Sequence, residues 1–454
     1  MDFDDDNYNI FYYSGLKLLT LFNQVISRWL ARSMLLLMQM GYNLIMELLS
    51  PAGNLEKLKT AVRYGADAVY CGGGDFSLRA ADTSFSLRDL ASGVAFAHQN
   101  NCKVYLAMNI FAFDNDFKPM LSYLKKAVEV GIDAVIISDP GLLYCIKQSG
   151  IDVKVHLSTQ ANTTNSESVK FWHSQGVSRI IMSRELSLDQ IAEIKKQVPE
   201  VELEIFVHGA MCVAYSGRCL LSKLLNDRSA NRGLCAQPCR WEYTIREVGR
   251  KEELTIGEET RGTYILNSRD LCLVEHIPAL VAAGIDSIKI EGRMKTAYYV
   301  AATTRVYRAA LDRFSLEGSN YRNDPEWVNE LARVSHRPYS TGFYLPETGS
   351  DKEYMEDSSY IRNYDFAGVV AGHCTDKNLV KISVRNMIKT GDILEVLDFN
   401  NPEIIKLEIK VIEDCDQGKI IESAHNGYTV NITPGKKIKL QLSENALVRR
   451  KISF

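Results

Sequence analysis

Two hydrophobic rhythms divide the chain. From Met46 to Gly292, segments such as NLEKLKTAVRY and KPMLSYLKKAVEV, apolar at three- and four-residue intervals, precede short β-branched apolar runs. The junction recurs as GADAVYCGG from Gly65, GIDAVIISDP from Gly131, GVSRIIMSREL from Gly176 and GIDSIKIEGRM from Gly284. Each places a glycine able to close a helix just ahead of a strand. From about Tyr360 the rhythm becomes alternating: AGVVAGH, LVKISVR, DILEVLD, IIKLEIKVI, GKIIESA, YTVNI and KKIKLQL are separated by turns such as TGD, QGK and TPGK.

The first region supplies eight strands, MELLSPA, DAVYCGG, KVYLAMN, DAVIISD, VKVHLST, RIIMSRE, LEIFVHG and DSIKIEG, with helical segments between them. This count predicts an α/β fold of TIM type, a (β/α)8 barrel. An open doubly wound sheet is the rival. It calls for a G-x-G-x-x-G phosphate turn after an early strand, and CGGGDFSL lacks that spacing. The second region predicts a small all-β barrel. The expected organisation is an N-terminal extension at 1–45, a barrel domain at 46–354 and a C-terminal β-barrel domain at 355–454.

The chain begins MDFDDD, acidic where a signal peptide is basic, and its uncharged run from Ser33 to Ile45 is too short to span a bilayer. With Met34, Met38, Met40 and Met46 ahead of the first clear strand, residues 1–45 are expected to lie upstream of the natural start. A cytoplasmic protein without membrane attachment is the expectation, with an interfacial helix in residues 1–45 as the alternative. Composition adds little: 454 residues, 46% hydrophobic and 24% charged, suit a globular chain of more than one domain, and a net charge of -3 announces no global basic field.

The connection between the seventh and eighth strands, Gly209 to Asp286, is far longer than a βα unit needs. It holds five of the ten cysteines: Cys212, Cys219, Cys235, Cys239 and Cys272. Without a secretory signal, such a cluster points to metal or catalysis rather than disulfides. The cysteines stand among Gly, Arg, Ser and Asn, which argues against inert core thiols. Gaps of six residues (Cys212 to Cys219) and three (Cys235 to Cys239) fit an iron–sulfur cluster better than zinc knuckles. A loop after a barrel strand lies at the C-terminal mouth, so the thiols are expected over a substrate pocket.

Other polar residues end strands at that mouth: His208, Asp139, Gln160, Arg184 with Glu185, and Glu291 with Arg293. His208 is a candidate proton donor or a neighbour of the cysteine site. Arg293, then Arg184, is the candidate for an anionic ligand, because a guanidinium binds carboxylate or phosphate in two-pronged fashion. The chain has no G-x-S-x-G elbow, no phosphate-cradling G-x-x-x-x-G-K and no H-E-x-x-H.

EIFVHGAMCVAYSGRC from Glu204 resembles the signature of the collagenase-like peptidase family of unassigned catalytic type, and LNSRDLC, SIKIEGRMK and HRPYSTGFY are similar to further family blocks. The resemblance runs from Met46 through the C-terminal barrel. It implies an RNA-hydroxylating enzyme of the tRNA branch, forming 5-hydroxyuridine at the wobble position with prephenate as co-substrate. It also implies a [4Fe-4S] cluster on Cys212, Cys219, Cys239 and Cys272, with Cys235 a further candidate ligand; His208, Glu291 and Arg293 are the catalytic candidates from their strand-end positions. The family label leaves a second expectation, a peptidase using a cysteine nucleophile with His208 as base. A third is a non-catalytic binding protein whose metal braces the insertion.

Overall fold

In the computed structural model, residues 46–78, 84–212, 214–241, 269–346 and 360–452 are described. The expected extension at 1–45 and the expected division at 354/355 lie outside them. Eight parallel strands form one ring: β1 (Glu47–Ala52), β2 (Ala68–Gly73), β3 (Lys103–Met108), β4 (Ala134–Ile137), β5 (Lys154–Leu157), β6 (Val177–Ile181), β7 (Glu202–Ala210) and β8 (Ser287–Ile290). Neighbours pair in sequence order, and β8 closes the ring between β7 and β1. All eight strands read from the hydrophobic runs are present, because strands buried on both faces leave uninterrupted apolar stretches. The glycines at 65, 131, 176 and 284 each have positive φ, between 74° and 99°. That is the left-handed step that ends a helix at little cost.

Helices α1 (Leu55–Arg63), α2 (Leu87–Gln99), α3 (Asp114–Val130), α4 (Pro140–Ser149), α5 (Ser166–Ser174), α6 (Leu188–Gln197), α7 (Ile277–Ala282) and α8 (Ala297–Glu317) surround the ring. Side-chain caps start several of them: Asn54, Ser86, Asn165, Ser187 and Thr296 each accept a backbone N–H of the first turn.

Part of the barrel interior is ionic. Arg179 on β6 reaches across to Glu47 on β1, a strand that is not its neighbour, and also meets Glu204 on β7 at 3.3 Å. Glu204 in turn accepts from Lys289 Nζ on β8 at 2.9 Å. Tyr105 donates to Glu47 at 2.8 Å. Pairing of this kind is what makes buried charges tolerable in a core that usually takes branched apolar residues.

The C-terminal region is a closed antiparallel barrel of six strands, Tyr364–Cys374, Leu379–Val384, Ile393–Leu397, Ile405–Asp414, Thr429–Pro434 and Leu447–Lys451, with Lys419–Ile421 paired at its edge. One expected strand is absent. In KKIKLQL, the backbone N–H groups of Ile438 and Leu442 donate to Asn378 Oδ1 and His373 Nδ1, each at 3.0 Å, instead of to a ladder. Leu447–Lys451 takes the place in the sheet. Its Arg449 is buried because it pairs with Glu330 of the first barrel's surround and with Glu395 at 2.8 Å. Leu397 and Leu447 join the first barrel's core, and Tyr64 donates to the Leu397 carbonyl, so the two barrels share a packed seam.

Candidate active site

The C-terminal ends of the barrel strands open into a cavity of about 150 Å³ roofed by the insertion. The roof is fastened on two sides. Arg232 grips Asp116 with both arms of its guanidinium, at 2.7 and 3.0 Å, and the Asn231 carbonyl accepts from Phe111 N at 3.0 Å. On the other side Glu185 accepts from Ser216 N and Oγ at 2.5 and 2.7 Å, and Arg218 Nε donates to the Gln160 carbonyl at 2.8 Å. Glu185 therefore serves as a tether for the loop at Ser216, where φ is +45°.

Four of the five clustered cysteines, Cys212, Cys219, Cys235 and Cys239, line this one cavity. The reason is local: turns with positive φ at Gly217, Gly233 and Gln237 fold the insertion back over the mouth. Cys219 N donates to Asn231 Oδ1 at 3.1 Å, and the Cys235 sulfur accepts from Gln237 N at 3.4 Å. Cys272 sits apart, on a short strand Asp270–Cys272 that runs antiparallel to the end of β7 with Cys272 opposite His208. Burial pushes its thiol up to about 12. Among the described residues, no three His, Cys, Asp or Glu side chains already form a metal cage. The donor set itself suits iron–sulfur chemistry, since soft thiolates on a polar loop share one pocket.

Arg293, Arg184 and Glu291 all line the cavity, as expected from their strand-end positions. Arg293 is 4% exposed, and its Nη1 donates to Ser77 Oγ at 3.1 Å. Its backbone is pressed against Gly53, where a Cβ would fall 2.1 Å from the Arg293 carbonyl oxygen. Arg184 lies 3.8 Å over the Phe206 ring and donates to the Ala210 carbonyl at 3.1 Å. Glu291 Oε2 accepts from the buried Tyr70 hydroxyl at 3.3 Å. Burial, with Glu291 beside it, keeps that phenol protonated far above its ordinary range.

His208 is elsewhere. It is 1% exposed, lies outside the cavity lining, and is enclosed by the rings of Tyr299, Tyr307 and Tyr339 at 5.4–5.9 Å. Burial lowers it to about 3, so the imidazole is neutral at physiological pH. Asp139 caps α4 by accepting from Leu142 N at 3.0 Å, a structural duty.

Several cavity residues were not singled out from the sequence, three of them able to donate hydrogen bonds: Lys289, Tyr70 and Asn109. Lys289 lines the floor, bonded to Glu204, and burial lowers its ammonium below the ordinary range. Tyr70 and Asn109 line the wall. A lysine inside an otherwise apolar strand run, SIKI, was the available signal for the first, and the strand-end position of Asn109 in KVYLAMN for the last.

The family model described as peptidase family U32 matches residues 53–354, and that of its C-terminal domain matches residues 362–449. The chain belongs to peptidase family U32. It is 38% identical over 394 residues to tRNA hydroxylation protein P1 of Bacillus subtilis, covering 86% of this chain and 92% of that one. It is 36% identical over 448 residues to tRNA hydroxylation protein P of Escherichia coli, covering 90% and 97%. A collagenase of Porphyromonas gingivalis is 29% identical over 405 residues, covering 87% and 95%. This U32 chain thus matches these relatives across both barrels. No helix among the described residues is long and apolar enough to cross a membrane.

Proposed function

We propose that this U32 protein is an RNA-modifying enzyme that hydroxylates the wobble uridine of tRNA to 5-hydroxyuridine, with prephenate as co-substrate and a [4Fe-4S] cluster as cofactor. The observation that carries the reading is the convergence of four thiols and three cations, Arg184, Lys289 and Arg293, on one cavity at the barrel mouth. Two relatives named tRNA hydroxylation proteins, similar over most of the chain, give the substrate class.

The residues divide by chemistry. Arg293 and Arg184 present guanidinium groups suited to the two carboxylates of prephenate, with Lys289 as a third positive group below them. Glu291, hydrogen-bonded to Tyr70, is the acid–base candidate inside the cavity. Cys212, Cys219 and Cys239 would hold the cluster, which when bound supplies one-electron chemistry. The fourth ligand is Cys272 by the family resemblance and Cys235 by its place on the cavity wall. A base that is to react in such a pocket must leave its stack, which suits an anticodon nucleotide already single-stranded. The reading carries a cytoplasmic location, where thiols stay reduced.

The test is mass-spectrometric nucleoside analysis of tRNA from a strain lacking its own wobble-uridine hydroxylating proteins, with and without this chain. Restored 5-hydroxyuridine is expected, and its absence despite soluble expression would overturn the proposal. The second reading, a peptidase, has the collagenase relative in its favour. Its base, His208, lies outside the cavity lining, and burial makes its imidazole a weak base. Hydrolysis of gelatin or collagen peptides by the purified protein, abolished by Cys219→Ala, would restore it.

A further inference from the structure

Gln160 stands on the turn Thr159–Ala161 that follows β5, lines the cavity, and is 2% exposed. The orientation of its amide is determined by a chain of hydrogen bonds that begins at an unambiguous donor. Leu78 N, a backbone N–H, donates to Asn109 Oδ1 at 3.2 Å. That makes the other Asn109 atom the Nδ2 donor, which reaches Gln160 Oε1 and Ser158 Oγ, each at 3.3 Å. Gln160 Oε1 is therefore the engaged acceptor, and Gln160 Nε2 is left as a donor. It is buried without an acceptor.

A buried amide N–H without a partner costs free energy, and native proteins leave few of them. The backbone around it is held as well: Arg218 donates to the Gln160 carbonyl, and Thr159 Oγ1 donates to the Met182 carbonyl at 3.0 Å. An amide fixed at both ends, with its donor unspent, beside a cavity walled by Tyr70, Phe206, Ile136 and Ile181, has the chemistry of a reader of one acceptor on a flat ring.

Resting on the proposed function, the geometry points to Gln160 as a specificity-determining residue that donates from Nε2 to the O4 carbonyl of the target uracil. Cytosine presents an amino donor at the same place, so N–H would face N–H and the site would reject it. Asn109 is the positioning residue that prevents the amide from turning over. A pocket that spends a fixed hydrogen bond on its substrate rejects the analogue lacking it far more strongly than an apolar pocket can.

The test compares kcat/KM of the full chain, purified with its cofactor, on two tRNA transcripts that differ only in U or C at the wobble position. For Gln160→Leu the uridine rate is expected to fall about 10- to 100-fold while the cytidine rate does not. For Gln160→Glu, whose carboxylate accepts from the cytosine amino group, the U:C ratio is expected to fall further than for Gln160→Leu. Iron content and melting temperature should match wild type in both. An unchanged U:C ratio in both variants, or loss of activity that tracks loss of iron, would overturn the assignment. If the wild-type chain forms no 5-hydroxyuridine, the functional proposal itself fails; if it does and Gln160→Leu keeps the wild-type ratio, only the Gln160 assignment falls.

Discussion

Arg232 closes a two-pronged ion pair on Asp116, and this single fork ties the cysteine-rich insertion to the first turn of α3. The Arg232 hydrogen bonds hold the Asp116 carboxyl below its ordinary value of 3.8. A carboxyl lowered in the closed state contributes above its ordinary pKa, and that contribution is lost as pH falls through the lowered value. Closure of the insertion should therefore be constant from neutrality to about pH 4 and weaken below it. Limited digestion by an acid-active protease at a series of pH values would show this as faster cleavage within 214–241. Asp116→Asn should be cleaved a few-fold faster than wild type at neutral pH, with another protease, since the contacts of Glu185, Arg218 and Asn231 remain, while the melting temperature of the barrel changes little.

The fourth thiolate can be assigned by iron content. Cys212→Ser, Cys219→Ser and Cys239→Ser are each expected to lose most of the bound iron and the visible absorption of anaerobically purified protein. Of Cys235→Ser and Cys272→Ser, one should lose it and the other keep it. Retention in Cys272→Ser would place the ligand set on the four cavity thiols, and retention in Cys235→Ser would place Cys272 in the cluster.

Gly209, at the end of β7, has φ +101°, and an added Cβ would lie 2.5 Å from the Glu291 carbonyl oxygen. Gly176, also of positive φ, has nothing within 4 Å of that point. Gly176→Ala should cost about 1 kcal/mol for its backbone conformation alone. Gly209→Ala adds overpacking against backbone, about 1–3 kcal/mol more. Denaturant unfolding of the two variants tests the difference, and equal losses would show that the Glu291 segment moves aside freely.

Arg449, with no exposed surface on its side chain, joins Glu330 and Glu395 at the seam between the barrels. Arg449→Met removes the cation that joins the two carboxylates, leaving Glu330 to Arg333 and Glu395 to Lys406 at 3.7 Å. A loss of about 1–3 kcal/mol is expected, seen by calorimetry as an earlier separate transition for the C-terminal barrel. Arg449→Met with Glu330→Gln should recover part of it, because one of the two neighbouring carboxylates is then neutral.

How far the site could be read ahead of the fold depended on residue type. Arg293, Glu291 and Arg184 were legible because a polar residue closing an apolar strand has only the barrel mouth to occupy. His208 obeyed the same rule and yet lies among three tyrosines, since the strand Asp270–Cys272 pairs beside it and shuts it off from the cavity. KKIKLQL had a strand's alternation, but Asn378 and His373 claim its amides.

By itself the sequence determined the eight barrel strands, the glycine steps before them, the alternating second region and the presence of five thiols in one insertion. These are set by local terms: side-chain period, φ preference and composition within a dozen residues. The tertiary structure alone decided which groups meet. Arg293 touches Ser77 across 216 positions, Gln160 takes its orientation from Asn109 and Leu78, and Cys235 shares a cavity wall from which Cys272 is absent. Closing a ring of strands brings the ends of distant segments to one mouth, and no pattern along the chain records which end faces which.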